Sequence, residues 1–231
     1  MKKYGLIGYP LGHSFSKAYF DKKFSTLGVD CQYNNYAIET LDTLPRGLDG
    51  FSVTLPHKQN VMPLLDSLDQ AAAQIGAVNC VDKNLRGYNT DVIGFAKSLL
   101  GLIGEARPDA LVLGTGGASL AVKYVLDNLN IDYYTVSRGG DLRYDNLTKE
   151  MVSECKLIIN TTPLGMFPDV DNAPAIPYEA IGAEHYMFDL VYNPAKTLFL
   201  SEGLRRGAFC KSGIEMLVEQ AEAAWEIWNR S

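Results

Sequence analysis

Short apolar runs alternate with amphipathic stretches along the chain, and no other feature of the sequence restricts the fold as strongly. A short apolar run is typical of a buried strand, whereas apolar residues at helical spacing indicate a helix. Strands separated by helices pair mostly in parallel, because a parallel pair needs a long crossover connection. The sequence therefore predicts an α/β fold. The predicted strands are Tyr4–Gly8, Tyr33–Ile38, Gly50–Leu55, Ala77–Val81, Ala110–Leu113, Tyr133–Val136, Leu157–Asn160 and Tyr186–Leu190, and the predicted helices are Lys17–Leu27, Val92–Leu102, Lys123–Leu129 and Glu215–Trp228.

A polar segment, residues 104–109, interrupts this alternation near the middle of the chain. Such segments commonly connect two domains. We therefore predict a first domain over residues 1–103 and a second domain over residues 104–208. Residues 209–231 contain the last predicted helix, and its periodicity does not indicate which domain it covers.

Composition and charge argue against several classes of partner. The net charge is −6 and the lysines and arginines are scattered, so a nucleic-acid partner is not expected. No apolar run is long enough to cross a bilayer, and Met1–Gly5 leads into a predicted strand without an apolar signal core. We therefore expect a cytoplasmic protein without a membrane partner. The 4 cysteines are far apart in sequence, which predicts reduced thiols and no metal site.

The segment Gly114–Ser119 follows a predicted buried strand directly and precedes a helical stretch. This order is the one that a dinucleotide-binding turn requires. Glycines at 114 and 116 leave the backbone clear, so that a pyrophosphate can approach the N–H groups at the helix N-terminus. Ser119 stands where the usual pattern has its third glycine, and glycine turns without a ligand also recur in α/β folds. The motif alone therefore leaves both interpretations open.

The end of the next predicted strand indicates which dinucleotide is bound. Ser137 and Arg138 follow that strand, and no Asp or Glu ends it. An acidic residue there would bind the ribose 2′-hydroxyl of NAD, whereas an arginine can hold a 2′-phosphate by charge-assisted hydrogen bonds. We therefore predict NADP as the cofactor. An exposed loop arginine with no ligand is the alternative for Arg138, and the direction of the nearby Arg143 cannot be read from the sequence.

Polar residues cluster at strand ends and in loops of the first predicted domain. Singly, each has an ordinary explanation, because serine and aspartate often cap helices and a lone lysine is usually solvated. Together, hydroxyls, amides, a lysine and an aspartate suit a hydroxyl-rich acid, and ligands of open α/β sheets bind outside the carboxyl ends of the strands. These residues are Ser14, Ser16, Thr54, Lys58, Asn79, Asn89, Thr90 and Asp91.

The same residues lie in motifs that resemble those of the shikimate dehydrogenase family. The motifs follow one another in the family's order over nearly the whole chain. They are Gly8–Ser16 (GYPLGHSFS), Ser52–Lys58 (SVTLPHK), Gly76–Asn79 (GAVN), Asn89–Asp91 (NTD), Gly114–Ala118 (GTGGA), Ser137–Arg138 (SR), Asn160–Met166 (NTTPLGM), Asp189–Pro194 (DLVYNP) and Gly213–Ala221 (GIEMLVEQA).

The resemblance implies a two-lobed α/β fold, with an N-terminal substrate domain, a Rossmann-like NADP-binding domain and a C-terminal helix that returns to the first lobe. It implies the reversible NADPH-dependent reduction of 3-dehydroshikimate to shikimate in aromatic amino-acid biosynthesis. Lys58 would be the general acid and base, and Asp91 would assist it. Substrate contacts are implied for Ser14, Ser16, Thr54, Asn79, Tyr192 and Gln220, and cofactor contacts for Gly114, Gly116, Gly117, Ala118, Ser137, Arg138, Thr161, Thr162, Gly213 and Met216.

Other functions stay open on the sequence alone. A quinate/shikimate dehydrogenase that uses NAD would share almost all of these residues, although Ser16 favours shikimate. The basic residues that usually accompany the arginine at position 138 in the family are fewer here. A non-catalytic dinucleotide-binding regulatory module would need neither Lys58 nor Asp91, so their joint presence favours an enzyme. The sequence does not distinguish a monomer from a homodimer.

Overall fold

The computed structural model describes residues 1–12 and 14–230, so that His13, in the first family motif, lies outside the described residues. The chain divides into two compact units. The first unit comprises Met1–Thr90 together with the residues from Gln220 onward, and the second comprises Asp91–Glu219. No helix within the described ranges combines the length and the apolar character needed to span a membrane.

Strands and helices alternate over much of the chain, as the apolar pattern predicts. The strands are β1 (Lys2–Gly8), β2 (Cys31–Ala37), β3 (Gly50–Val53), β4 (Ser67–Leu68), β5 (Cys80–Asp82), β6 (Arg86–Tyr88), β7 (Ala110–Leu113), β8 (Tyr133–Val136), β9 (Leu157–Asn160), β10 (Tyr186–Asp189) and β11 (Phe209–Ser212). The α-helices are α1 (Phe15–Leu27), α2 (Gln70–Ile75), α3 (Thr90–Ile103), α4 (Gly117–Asn128), α5 (Lys149–Glu154), α6 (Leu198–Arg205) and α7 (Ile214–Trp228). Within the part of the chain that the structure describes, no α-helix separates β2 from β3, β3 from β4, β5 from β6, or β9 from β10.

The first unit contains a mixed sheet in the order β2-β1-β3-β5-β6-β4. The predicted parallel pairing holds for β1 with β2 and β3, whereas β5 is antiparallel to both β3 and β6. The connection from β5 to β6 spans only residues 83–85, and such a short connection permits only an antiparallel pair. Leu85 in this turn has a left-handed φ of 54°.

The C-terminal part of α7 completes the core of the first unit. Ala221, Ala224 and Trp228 pack with aromatic residues of β1 and α1, among them Tyr4 and Phe20. The Trp228 and Tyr4 rings stack with centroids 4.8 Å apart. This packing confirms that the C-terminal helix returns to the first lobe.

The second unit contains a parallel sheet in the order β11-β10-β9-β7-β8, with a hydrophobic cluster on each face. The chain passes from β7 to β8 on one side, and it then crosses over to β9, β10 and β11 on the other. A crevice forms at such a reversal, outside the carboxyl ends of the strands, and this crevice is the usual ligand site of a Rossmann-like sheet. The prediction of a Rossmann-like second lobe is confirmed.

Candidate active site

A cleft of about 460 Å³ lies at the carboxyl ends of β7, β8 and β9, where the strand order reverses. The glycine-rich turn, the arginine that follows β8 and the loop that follows β9 form its walls. The residues that line it are Gly114, Thr115, Gly116, Ser137, Arg138, Tyr144, Thr161, Thr162, Pro163 and Leu164.

The glycine-rich turn leaves open space at the N-terminus of α4. Gly114 has a φ of 109°, and a Cβ there would lie 2.8 Å from Thr161 Oγ1, so a side chain would be strained at this position. A Cβ at Gly116 or Gly117 would meet no described atom within 4 Å. Gly116 is the N-cap of α4 and has no side chain, which leaves the first N–H groups of the helix for an anion. This geometry fits the pyrophosphate of a dinucleotide.

Ser119 replaces the third glycine of the usual turn without filling the cleft. Its side chain is buried, and its Oγ donates a hydrogen bond to the Gly116 carbonyl at 2.7 Å. The hydroxyl therefore folds back onto the turn and stabilises it.

Arg138 is exposed and lines the cleft just past the end of β8. Arg143 contacts a different group, because its Nε lies 3.2 Å from Asp145 Oδ1. Of the two arginines considered from the sequence, only Arg138 is therefore a wall of the cleft.

Asp189 ends β10 and is fully buried. Its Oδ1 accepts hydrogen bonds from Asn160 Nδ2 and the Val191 N–H, each at 3.0 Å, and its Oδ2 accepts one from Thr197 Oγ1 at 2.5 Å. Asn160 Oδ1 in turn accepts from the N–H and the Oγ1 of Thr162, at 3.0 and 2.6 Å. Burial raises the pKa of Asp189 to about 6, and its hydrogen bonds limit the rise. A buried carboxyl group is thus connected to the wall of the cleft.

Three residues that are distant in sequence meet in the first unit and form what we call the amide cluster: Asn79, Thr90 and Gln220. Asn79 is buried, and its Oδ1 accepts hydrogen bonds from the N–H and the Oγ1 of Thr90, at 2.6 and 3.2 Å. Asn79 Nδ2 donates to Gln220 Oε1 at 3.4 Å, and Thr90 Oγ1 lies 3.4 Å from the same oxygen, so that Asn79 and Gln220 are alternative acceptors for its single proton. The return of α7 therefore brings Gln220 beside Asn79, 141 positions away in sequence.

Thr54 and Lys58 lie just past the carboxyl end of β3. A Cβ at Gly8, the last residue of β1, would overlap the Thr54 methyl group, so the ends of the two strands are in contact. The Val78 N–H donates to the Lys58 carbonyl at 2.8 Å, one residue before Asn79. The backbone of half-buried Lys58 therefore lies next to the amide cluster.

Ser14 and Ser16 begin α1, which follows β1. Ser14 is the N-cap of this helix, and its Oγ accepts a hydrogen bond from the Lys17 N–H at 3.2 Å. The capping role that the sequence left open for Ser14 is therefore confirmed. The Ser14 hydroxyl proton is not used by the cap, because a hydroxyl can donate and accept at once.

The remaining predicted residues belong to the second unit. Asp91 lies in the first turn of α3, and Tyr192 and Gly213 follow the carboxyl ends of β10 and β11. Met216 is only 7 % exposed and packs in a core cluster that includes Phe188. The approach of Asp91 and Tyr192 to the amide cluster stays a prediction.

Sequence reasoning missed two residues of the second unit. Tyr144 lines the cleft, and its buried hydroxyl has no hydrogen-bond partner among the described residues. A tyrosine in a connecting loop gives no sequence signal of such a position. Asp189 lay within a recognised motif, but its burial and its hydrogen bonds are visible only in the structure.

Comparisons with known proteins agree with this architecture. The family model described as shikimate dehydrogenase substrate binding domain matches residues 6–81. A shikimate dehydrogenase (NADP(+)) from Methanobrevibacter smithii is 36% identical over 253 residues, covering 97% of this chain and 90% of the relative, and one from Bacillus cereus is 34% identical over 98% of this chain and 92% of the relative. The crystal structure of shikimate 5-dehydrogenase from Thermus thermophilus in complex with NADP(H) and shikimate superposes with a TM-score of 0.88 at 31% identity, over 99% of this chain and 94% of that one.

These relatives are more than 30% identical to this chain over at least nine-tenths of both sequences, and the solved one shares its architecture. The chain belongs to the shikimate dehydrogenase family.

Proposed function

We propose that this protein is a shikimate dehydrogenase that catalyses the reversible NADPH-dependent reduction of 3-dehydroshikimate to shikimate. The observation that carries the proposal is that one chain combines a dinucleotide-type cleft with the amide cluster and Lys58 at the strand ends of its first sheet. Relatives that carry this name, including one solved with NADP(H) and shikimate, support it. We propose residues 1–103 and 209–231 as the substrate domain and residues 104–208 as the cofactor domain.

NADP fits the cleft of the second unit. The N–H groups and the helix dipole at the start of α4 favour the pyrophosphate, and Arg138, which lines the cleft, would bind the 2′-phosphate. When bound, the reduced nicotinamide supplies the hydride that the carbonyl carbon of the substrate accepts. The proposed cofactor residues are Gly114, Gly116, Gly117, Ala118, Ser137, Arg138, Thr161, Thr162, Gly213 and Met216.

The substrate is a ring acid with several hydroxyl groups, and the strand ends of the first sheet offer matching partners. Ser14 and Ser16 would bind its carboxylate, because hydroxyls at the start of a helix donate hydrogen bonds without adding charge. Asn79 and Gln220 would bind ring hydroxyls, because an amide can both donate and accept. Thr54 and Tyr192 would complete the pocket.

Lys58 would donate a proton to the carbonyl oxygen during reduction and accept it from the hydroxyl in the reverse direction. A general acid must come within about 3 Å of that oxygen. The position of Lys58 next to the amide cluster supports this role, because the same cluster would bind the ring. Asp91 would orient the Lys58 ammonium group and accept a hydrogen bond from a substrate hydroxyl.

The proposal is tested by absorbance at the reduced-nicotinamide band with shikimate or quinate and NADP or NAD, in all four pairings. We expect fast reduction of NADP with shikimate and much slower reaction in the other three pairings. Comparable rates with quinate or NAD would assign the protein to dual-specificity relatives. If none of the four pairings changes the absorbance but the protein still binds NADP, a regulatory module would be favoured.

Replacing Arg138 with glutamine should weaken NADP selectively. The 2′-phosphate would lose a charge-assisted hydrogen bond, so we expect the KM for NADP to rise about 10- to 100-fold. NAD has no 2′-phosphate, so its KM should change less than about twofold. Steady-state kinetics with both cofactors at saturating shikimate measure the ratio.

Arg143→Gln is the matched control, because it removes the same charge from a side chain that contacts Asp145. This variant should leave both KM values close to those of the wild type. Equal losses for NADP and NAD in Arg138→Gln would contradict a role in 2′-phosphate recognition.

A further inference from the structure

The two segments that would contact cofactor and substrate in the second unit both depend on one buried side chain. Thr161 and Thr162 follow β9 and belong to the proposed cofactor site, whereas Tyr192 follows β10 and belongs to the proposed substrate site. Asp189 lies between these segments at the end of β10 and has no exposed surface.

On the cofactor side, Asp189 acts through Asn160. Asn160 donates to Asp189 Oδ1, and this bond orients the amide so that its oxygen accepts both hydrogen bonds from Thr162. An amide rotated by 180° would present its NH₂ group to the Thr162 N–H, which is a donor, and would lose that bond. The acceptor at position 189 therefore determines which way Asn160 faces and, through it, the start of the cleft wall.

On the substrate side, the same Asp189 Oδ1 accepts the N–H of Val191, the residue before Tyr192. The other oxygen accepts from Thr197, the N-cap of α6. Thr197 also lies close to Gly165, the residue after the cleft-lining Leu164, since a Cβ at Gly165 would lie 3.4 Å from Thr197 Cβ. The carboxylate thus accepts from one backbone N–H and two side chains, which belong to three different segments of the chain.

We propose that Asp189 is a positioning residue that holds the Thr161–Thr162 segment and the Val191–Tyr192 segment in a fixed relation, so that cofactor and substrate are bound in register. This inference rests on the proposed function and extends it to a residue that touches neither ligand. Hydride transfer requires the two reactants to be aligned almost in contact, and small displacements of the groups that position them lower the rate strongly.

A role in stability alone is the competing explanation, and it makes different predictions. If Asp189 served stability alone, replacing it would lower the melting temperature but would not change ligand affinity at temperatures where the variant is folded. If Asp189 positions the two segments, replacing it would raise the Kd for NADP and the KM for shikimate even in the folded protein.

The first pair of variants is Asp189→Asn and Asp189→Ala. Asparagine keeps an oxygen for Asn160 and Val191 and places an NH₂ group against Thr197 Oγ1, so the Kd for NADP should stay within about threefold of the wild type. Alanine removes all three acceptor contacts, so we expect the Kd for NADP and the KM for shikimate each to rise about tenfold or more. Calorimetric titration with NADP measures the Kd without relying on turnover.

A second pair keeps the test sharp if Asp189→Ala fails to fold. Thr197→Val and Thr148→Val each remove a threonine N-cap whose Oγ1 accepts a backbone N–H at 3.3 Å, on α6 and α5 respectively. Thr197→Val should lose more stability than Thr148→Val, because Thr197 is buried and only it also donates to Asp189, so the Kd is compared at a temperature where both variants are folded. We expect the Kd for NADP to rise about threefold in Thr197→Val and to be unchanged in Thr148→Val.

The outcomes separate this inference from the proposed function. If the wild-type protein neither binds NADP nor oxidises shikimate, the proposed function fails. If the wild type binds NADP and the folded Asp189→Ala and Thr197→Val variants bind it equally well, Asp189 is structural only and the inference is overturned. Equal losses in Thr197→Val and Thr148→Val would also overturn it.

Discussion

Replacing Lys58 with methionine is expected to lower kcat for shikimate oxidation about 10²- to 10⁴-fold, the usual contribution of a positioned general acid or base. Methionine is similar in length and keeps the apolar stem, but it can neither donate nor accept the proton that leaves the substrate hydroxyl. Lys58 belongs to the first unit, whereas the dinucleotide-type cleft belongs to the second. The Kd for NADP should therefore stay within about twofold of the wild-type value.

Stopped-flow absorbance gives kcat, and calorimetry with NADP gives the Kd. Lys83→Met is the matched control, because Lys83 is an exposed lysine of the same unit in the turn between β5 and β6. Its kcat should equal that of the wild type. Near-normal turnover in Lys58→Met would remove Lys58 from the mechanism.

Replacing Trp228 with alanine should cost about 3–5 kcal/mol of unfolding free energy, as large aromatic-to-alanine changes in a core do. Trp228 is 4 % exposed, and its ring contacts those of Tyr4 and Phe20 at centroid distances of 4.8 and 5.2 Å. Its Nε1 donates to the Val81 carbonyl at 3.0 Å, so the variant also leaves a buried acceptor of β5 without its partner. A Cβ at Gly50 would overlap the indole, which shows how closely β3 packs against it.

Urea unfolding followed by far-ultraviolet circular dichroism measures this loss, because fluorescence would change with the removed indole itself. Trp225→Ala is the matched control, since Trp225 is on the same helix and contacts the same cluster but is only half buried. Trp225→Ala should lower the free energy of unfolding clearly less than Trp228→Ala does. A loss below about 1 kcal/mol for Trp228→Ala would contradict a structural role for the C-terminal turn of α7.

The sequence predicted the second sheet more accurately than the first. The strands β7, β8 and β9 are apolar and short, and the predicted bounds equal the observed ones. In contrast, β11 (FCKS) contains a lysine and a serine, and β4 is only two residues long, so neither has a recognisable apolar pattern. The antiparallel pairing of β5 and β6 depends on a tight turn in which Asp82 Oδ1 accepts the Asn84 N–H, and the left-handed conformation of Leu85 in this turn is not signalled by its residue type.

Those parts of the candidate site that are contiguous in sequence could be predicted, whereas contacts between distant positions could not. The glycine-rich turn is contiguous in sequence, and so its position between a buried strand and a helix was predicted correctly. The contact of Asn79 with Gln220 joins positions 141 apart, and only the family resemblance implied that both serve one site. The Asp189 network depends on burial of a carboxyl group, which neither periodicity nor spacing can reveal. Tyr144 was missed because the burial of its hydroxyl beside the cleft likewise gives no signal in the sequence.

The return of α7 also sets the order in which the chain can fold during synthesis. Domains generally fold as units while the chain emerges, with the N-terminal one first. Here the aromatic face of β1 and α1 is translated early, but Ala221, Ala224 and Trp228, which cover it, are translated much later. The strands and helices from Asp91 to Glu219 emerge before those residues. The unit whose synthesis begins first is therefore completed only after the second unit has been synthesised, and its aromatic surface lacks the α7 residues until then.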